Sequence, residues 1–299
     1  MVNHPFGSLD PQRWWNIGRR AIRAGCQSGS HGPLVMGILN VTPDSFSDGG
    51  QHASTANAIA AAIEMVGHGA DIIDIGGEST RPYSTPVSAE QELQRVIPVI
   101  EQLAGKIAVP ISIDTSKSVV ARAAIAAGAE IINDVTGLEG DPDMAQVAAE
   151  TGVGVCAMHM RGNPQTMQDN PQYDDVVAEI DDYLRQRLDW CIDQGIQADR
   201  ICLDPGIGFG KTHAHNLELL RATRRFTQIG TPILIGHSRK GFIGKVLGDA
   251  TLQRDYGTIG VSLAVAAAGA DIIRVHAVRP TVEALRLFVA AGGLGRHDE

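Results

Sequence analysis

Eight short apolar runs punctuate the chain, and each ends in residues that carry chemistry. The first, Val35 to Val41, lies between Gly32-Pro33 and Thr42-Pro43 and has the continuous apolar character of a strand covered on both faces. Seven more follow at 71–77, 110–115, 131–136, 154–160, 201–206, 232–238 and 271–277. Asn40 stands near the end of the first run. The others close on Asp74 and Glu78, Asp114, Asn133 and Asp134, His159, Asp204, Ser238 and Lys240, and Arg274 and His276. Between the runs the spacing predicts helices over 55–67, 88–105, 117–127, 142–151, 174–194, 216–226, 256–268 and 281–291. Ser88-Ala-Glu-Gln91 reads as a capping box opening the second of these.

Strand and helix alternating eight times predict an α/β fold, a (β/α)₈ barrel in a single domain spanning 34–292. A weak repeat supports this layout: Gly69-Ala-Asp-Ile-Ile, Gly128-Ala-Glu-Ile-Ile and Gly269-Ala-Asp-Ile-Ile each close a helix and start a strand. Residues 1–33, with Trp14 and Trp15 and the link Ser28-Gly-Ser-His-Gly32-Pro33, read as an N-terminal extension that closes the bottom of the barrel. In this architecture the active site lies at the carboxyl ends of the strands, so Asn40 stands where a satisfied turn amide and a metal-binding amide are both open readings.

Composition narrows the field. A hydrophobic content of 43% fills a core, and 34 glycines with 4% aromatics suit many tight turns between strands and helices. The net charge of −9 argues against nucleic acid or an anionic membrane as partner. An anionic substrate therefore has to be met by locally gathered cations. Cys26, Cys156, Cys191 and Cys202 form no C-x-x-C pair and read as reduced, buried thiols of a cytoplasmic protein. Arg23 interrupts the stretch before Cys26 that would otherwise suggest an export signal, and no run reaches membrane-spanning length.

Sorted by charge, the strand ends form two subsites. Arg81, Arg239, Lys240 and Arg274, with His276, would hold a phosphate or diphosphate by charge-assisted hydrogen bonds. Asp114, Asn133 and Asp204 form a set of acceptors without nearby cations, suited to a heterocycle that presents N–H donors. Singly, each charge is as readily an internal salt bridge; the whole set is not. Three motifs fail on inspection. Gly206-Ile-Gly208-Phe-Gly210 lacks the dinucleotide spacing, Gly236-His-Ser-Arg-Lys240 lacks the last glycine of a nucleophile elbow, and His213-Ala-His215 lacks companion ligands. Lys240 beside Arg239 leaves Schiff-base chemistry open as a rival use of the same barrel.

Taken in order, Met36-Gly-Ile-Leu-Asn-Val-Thr-Pro-Asp-Ser-Phe-Ser-Asp48, Asp74-Ile-Gly-Gly-Glu-Ser-Thr-Arg-Pro82, Ser112-Ile-Asp-Thr115, Ile132-Asn-Asp134, Met158-His-Met160, Leu203-Asp-Pro-Gly-Ile-Gly-Phe-Gly-Lys211, Ser238-Arg-Lys240 and Arg274-Val-His276 resemble the dihydropteroate synthase family. The resemblance runs from about residue 34 to 283. It implies a pterin-binding transferase of folate biosynthesis that joins p-aminobenzoate to a hydroxymethyl-dihydropterin diphosphate, and a homodimeric sulfonamide target. It further implies that Asp114, Asn133, Asp204 and Lys240 hold the pterin, with Met158 and Phe209 as apolar surroundings. Asn40, Arg81, Arg274 and His276 would face the diphosphate, Asn40 through Mg²⁺, and Thr80, Pro82, Phe209 and Ser238 would line the p-aminobenzoate pocket. The implied catalytic set is Lys240, Asp114, Arg274, His276 and Asp44, acting in an SN1-like substitution under the closing loops 41–50 and 76–86. Where the family usually has Asp after the last strand's His, this chain has Ala277. A corrinoid-linked pterin methyltransferase and a pterin-binding paralogue without turnover are the rival readings.

Overall fold

The computed structural model describes residues 13–24, 32–42, 50–249, 251 and 253–294. An antiparallel hairpin, β1 (Arg13–Asn16) and β2 (Ala21–Ala24), precedes an alternating series. That series is β3 (Leu34–Asn40), α1 (Gly50–Gly67), β4 (Ile72–Gly76), α2 (Ala89–Leu103), β5 (Ile111–Asp114), α3 (Ser118–Ala127), β6 (Ile131–Asp134) and α4 (Met144–Thr151). It continues with β7 (Gly154–Met158), α5 (Val176–Asp193), β8 (Ile201–Asp204), α6 (His213–Arg221), α7 (Thr223–Thr227), β9 (Leu234–Ile235), α8 (Gly241–Leu247), α9 (Asp255–Ala267), β10 (Ile272–Val275) and α10 (Val278–Ala290). The eight strands β3 to β10 pair in parallel in the order β8-β7-β6-β5-β4-β3-β10-β9. A parallel bridge between Leu203 and Ile233 brings the two outer edges, β8 and β9, together. This is the barrel the alternation predicts.

Residue parity along the strands separates two cores. Outward residues such as Val35, Leu39, Ile73, Ile75, Ile113, Ile132, Val155, Leu203, Ile235 and Ile273 join the helices in one buried cluster. Inward residues Met36, Ile72, Ile131, Cys156, Cys202, Leu234 and Ile272 form a second, and Trp15 and Ile17 of the hairpin complete it. Because side chains alternate with a period of two, the next inward positions are Asp74, Asn133, Met158, Asp204, Gly236 and Arg274. The barrel interior thus changes from apolar at the floor to polar at the mouth within one or two steps of each strand. Trp15 is fully buried at that floor and donates its indole N–H to Arg200 O at 2.8 Å. Gly154 permits the approach, since a Cβ there would lie 2.6 Å from Ile17 Cγ2.

The sequence signals for the helix ends hold. Ser88 caps α2, with the reciprocal Gln91 contact of a capping box. Gly69, Gly128 and Gly269 take φ of +93°, +124° and +91° where helices stop. Elsewhere the structure departs from the expectation. The helix expected over 216–226 is two helices, starting earlier at His213 on the cap of Thr212 and breaking at Ala222. The strand expected over 232–238 is only Leu234–Ile235, and the chain then turns, with Lys240 as the N-cap of α8, which begins at Gly241 and was not expected. Cys156, Cys191 and Cys202 are free and buried, as expected; Cys26 lies outside the described residues.

Candidate active site

The strand register lines up the first rim residues. Asn40 pairs with Gly76, Gly76 with Asp114, and Asp114 with Asn133, a single row across β3, β4, β5 and β6. Gly76 leaves that row open between Asn40 and Asp114. Below the row, Asp74 is fully buried, and its Oδ2 accepts from Asn133 Nδ2 at 3.0 Å and from Arg274 Nε at 2.6 Å. Arg274 Nη2 donates to Asp114 Oδ2 at 2.6 Å. One guanidinium on the last strand therefore holds two carboxylates from β4 and β5, leaving Nη1 to face other acceptors.

Asp204 stands opposite, its Oδ1 accepting from Gly206 N at 2.7 Å. Lys240 reaches in from the segment after β9, donates to Ile207 O, and lies 4.2 Å from the Phe209 ring centroid. A Cβ at Gly208, where φ is +85°, would meet Lys240 Cδ at 2.6 Å, so glycine makes the channel for this side chain. Ser238 Oγ and His276 Nδ1 are 2.9 Å apart, and Ser238 Oγ accepts from His276 N at 3.2 Å, which ties the ends of β9 and β10 together. Met158 is buried in the wall; Thr80 is half-buried and Arg81 and Pro82 are exposed on the segment after β4. Asn40 is half-buried at the rim, and its side chain has no hydrogen-bond partner among the described residues. Asp44 lies outside the described residues.

Burial and charge shape how these groups ionise. Burial pushes the Asp114 carboxyl up to about 7, with Asp74, Glu92 and Asp134 adding to the rise and Arg274 opposing it. Burial also raises Asp204, against the Gly206 N–H and the charges of Lys240, Lys211 and Arg274. Lys240 is lowered to about 7 by burial and by Arg274, while Asp204 and Asp114 resist. His276 is lowered to about 3 by burial and by Arg239, Arg274 and Arg81, so it is a neutral ring at pH 7. Burial works against the Arg274 charge, but Asp74 and Asp114 overcome it and hold the guanidinium protonated.

Two parts of the charge sorting need correction. The acceptor set is not free of cations, because Arg274 bonds Asp114 directly and Lys240 and Lys211 act on Asp204. Arg239 is not aimed into the mouth: its φ of +56° turns it outward, where it makes a two-point pair with Asp255 at 2.7 and 3.0 Å. Lys240 owes its lowered pKa first to burial, and Arg239 is not among the causes. Sequence reasoning also left two buried groups without a role. Asp74 shares the inward parity of Ile72, which was the available signal. Lys211 is almost fully buried, with Nζ 2.9 Å from both His159 Nδ1 and Phe209 O, and no local pattern marks a lysine for burial.

The chemistry of this mouth is a set of hydrogen-bond acceptors and a half-buried amine for a polar heterocycle, beside a cationic margin for an anion. Comparison with known proteins agrees. The model of the pterin binding enzyme family matches residues 36–276. The dihydropteroate synthase of Escherichia coli (strain K12) is 50% identical over 258 residues, covering 86% of this chain and 91% of that protein. The structure of Xanthomonas albilineans dihydropteroate synthase with 4-aminobenzoic acid superposes with a TM-score of 0.85 at 43% identity, over 94% of this chain and 98% of that one. That of the Yersinia pestis enzyme in a sulfonamide drug complex gives 0.85 at 42% identity, over 93% and 98%. With half its residues shared across nearly the whole barrel, the chain belongs to the dihydropteroate synthase family of pterin-binding enzymes.

Proposed function

We propose that this enzyme condenses p-aminobenzoate with (7,8-dihydropterin-6-yl)methyl diphosphate, giving 7,8-dihydropteroate and diphosphate. The observation that carries the reading is the convergence of opposite charges on one mouth: Arg274 acts electrostatically on Asp114, Asp204, Lys240 and His276 alike. Asp114, Asn133 and Asp204 accept from the pterin N–H groups, with Lys240 donating and Met158 and Phe209 packing the ring. Arg81, the open side of Arg274 and the neutral ring of His276 receive the departing diphosphate. Its departure leaves a cationic pterin methylene, which Asp114 and Asp204 stabilise. The arylamine, neutral at pH 7, needs no base to attack the methylene from a pocket formed by Thr80, Pro82, Phe209 and Ser238, and the nitrogen, protonated as the C–N bond forms, then releases its proton to the departing diphosphate or water. Sulfonamides would compete for that pocket.

Mg²⁺ fits the same margin. No group of three or more His, Cys, Asp or Glu side chains that could hold a metal occurs among the described residues. The half-buried, unpartnered amide of Asn40 suits an ion that takes one protein oxygen and completes its shell with phosphate and water. When bound, Mg²⁺ would neutralise charge on the leaving diphosphate. We further propose a cytoplasmic location and a homodimer, the latter supported by Val246, Leu247 and Tyr256 of α8 and α9, which are 62, 52 and 84% exposed. No helix among the described residues is long and apolar enough to cross a membrane.

The test is diphosphate release by the purified protein with both substrates and Mg²⁺, together with the mass of the product. A lowered Lys240 pKa also supplies a free amine, which favours covalent chemistry as the second reading. The protein mass after incubation with the pterin diphosphate alone separates the two: the proposed reaction leaves it unchanged, and attack of Lys240 Nζ on the pterin methylene, with diphosphate and a proton leaving, adds the pterinylmethyl group to it.

A further inference from the structure

The mouth is bridged by two segments that belong to distant strands. The segment after β4 (77–88) and the segment after β7 (159–175) leave strands with β5 and β6 between them, yet three hydrogen bonds join them. Tyr83 N donates to Pro164 O at 3.0 Å, Tyr83 Oη donates to Asp169 Oδ1 at 3.2 Å, and Gln165 Nε2 donates to Ser84 O at 3.4 Å. The receiving turn is stiff, because Asn163 Oδ1 accepts from Gln165 N, Thr166 N and Thr166 Oγ1, each at 3.1 Å. The same turn donates to the wall of the pterin subsite, Gln168 Nε2 to Gly208 O at 2.7 Å. One turn thus touches both the segment carrying Thr80, Arg81 and Pro82 and the segment carrying Phe209.

Tyr83 is the residue under constraint. Its φ is +63°, a left-handed backbone that is rare for an aromatic residue. Its side chain is 67% exposed, so burial does not hold it there. What remains to hold it are its hydrogen bonds to Pro164 and Asp169, and glycine would adopt the same backbone without strain.

We infer that Tyr83 is a positioning residue, a latch that docks the segment after β4 onto the turn 163–169 and so fixes Thr80 and Pro82 at the p-aminobenzoate side of the mouth before substrate arrives. This rests on the proposed reaction for its kinetic arm. The Tyr83–Asp169 bond is a neutral-to-charged contact at the surface, and its loss weakens arylamine binding about two- to tenfold. Tyr83→Phe and Asp169→Ala each raise the p-aminobenzoate KM by that factor, the double variant by no more than either alone, with the pterin diphosphate KM and kcat unchanged. Tyr83→Gly gives the same KM rise with a thermal midpoint equal to or above that of the parent, because strain leaves with the side chain. A merely structural role would move KM and stability together.

A second arm needs no turnover: hydrogen exchange of the free protein, where amides 79–86 exchange faster in Tyr83→Phe than in the parent. Additive effects in the double variant, equal changes in both KM values, or unchanged exchange over 79–86 would each overturn the latch. If the parent releases no diphosphate, the proposed reaction fails on its own and the exchange measurement still decides the latch.

Discussion

Replacing Asp74 by Asn tests the ion-pair frame beneath the mouth. Asp74 Oδ2 accepts from Arg274 Nε at 2.6 Å and from Asn133 Nδ2 at 3.0 Å, and the side chain is fully buried. Removing one partner of a buried pair typically costs about 3–5 kcal/mol, because the other charge is left uncompensated. Arg274 keeps Asp114, and its side chain is 20% exposed, so water screens part of the loss. The expected cost therefore falls just below that range, at about 2–3 kcal/mol. At about 2–4 °C per kcal/mol for a chain of this size, the thermal midpoint falls by roughly 5–10 °C. The kinetic consequence is separate. Arg274, freed on one side, swings toward Asp114 and away from the diphosphate, and kcat/KM for the pterin diphosphate drops about tenfold or more, since each 1.4 kcal/mol of lost transition-state binding is a factor of ten. Circular dichroism melts and steady-state diphosphate release at pH 8 give both numbers. A midpoint within a degree of the parent, with unchanged kcat/KM, would refute the claim that Asp74 aims Arg274.

The remaining expectations concern protons, anions and metal. Asp114, raised to about 7, favours the neutral form in the fold, so its contribution to stability is full below the unfolded carboxylate value and is lost as pH rises toward 7; Asp114→Asn removes that slope, read as urea midpoints from pH 4 to 8. Lys240, lowered to about 7, has the opposite slope, its contribution being lost as pH falls from about 10.5 toward 7. Catalysis needs both groups charged, so kcat/KM for the pterin diphosphate passes through a narrow maximum near pH 7; the limbs belong to the coupled pair, and a flat profile from pH 6 to 8 contradicts the assignment. Arg81→Ala weakens the diphosphate-bearing pterin about tenfold and free pterin little, by calorimetric titration; equal losses exclude an anion contact. Chelation of Mg²⁺ abolishes turnover, and Asn40→Ala raises the Mg²⁺ concentration needed for half-maximal rate by on the order of tenfold, with an unchanged requirement counting against Asn40 as ligand.

Much of the architecture was legible because strands of a parallel barrel are buried on both faces and so stand out as continuous apolar runs. The rim was legible for a related reason: polar residues such as Asp114, Asn133 and Asp204 at the ends of such runs have few structural uses. Side-chain direction was not legible. Arg239 and Lys240 are neighbours, and only the left-handed turn at Arg239 sends one to Asp255 and the other to Ile207 O. Nor was the Asp74–Arg274 pair, whose members lie 200 residues apart and meet only because β3 alone separates β4 from β10. The break between α6 and α7 at Ala222 has no glycine or proline to mark it. The β1–β2 hairpin was hidden in the same way, since Arg13-Trp-Trp-Asn16 shows no alternation and its partner is largely exposed.

The indole of Trp15 gives the hairpin a wider meaning. Seven side chains from the eight-stranded ring depend on two from outside it to exclude water from below. A fragment trimmed to begin at the first barrel strand would leave a tube open at its base, with Met36, Ile131 and Leu234 wetted and the layer supporting Asp74 and Arg274 undermined. The smallest autonomous unit therefore starts upstream of the barrel, and a lesion as remote as Trp15→Ala, costing about 3–5 kcal/mol, would be felt at the opposite end as a loosened bed for the substrate.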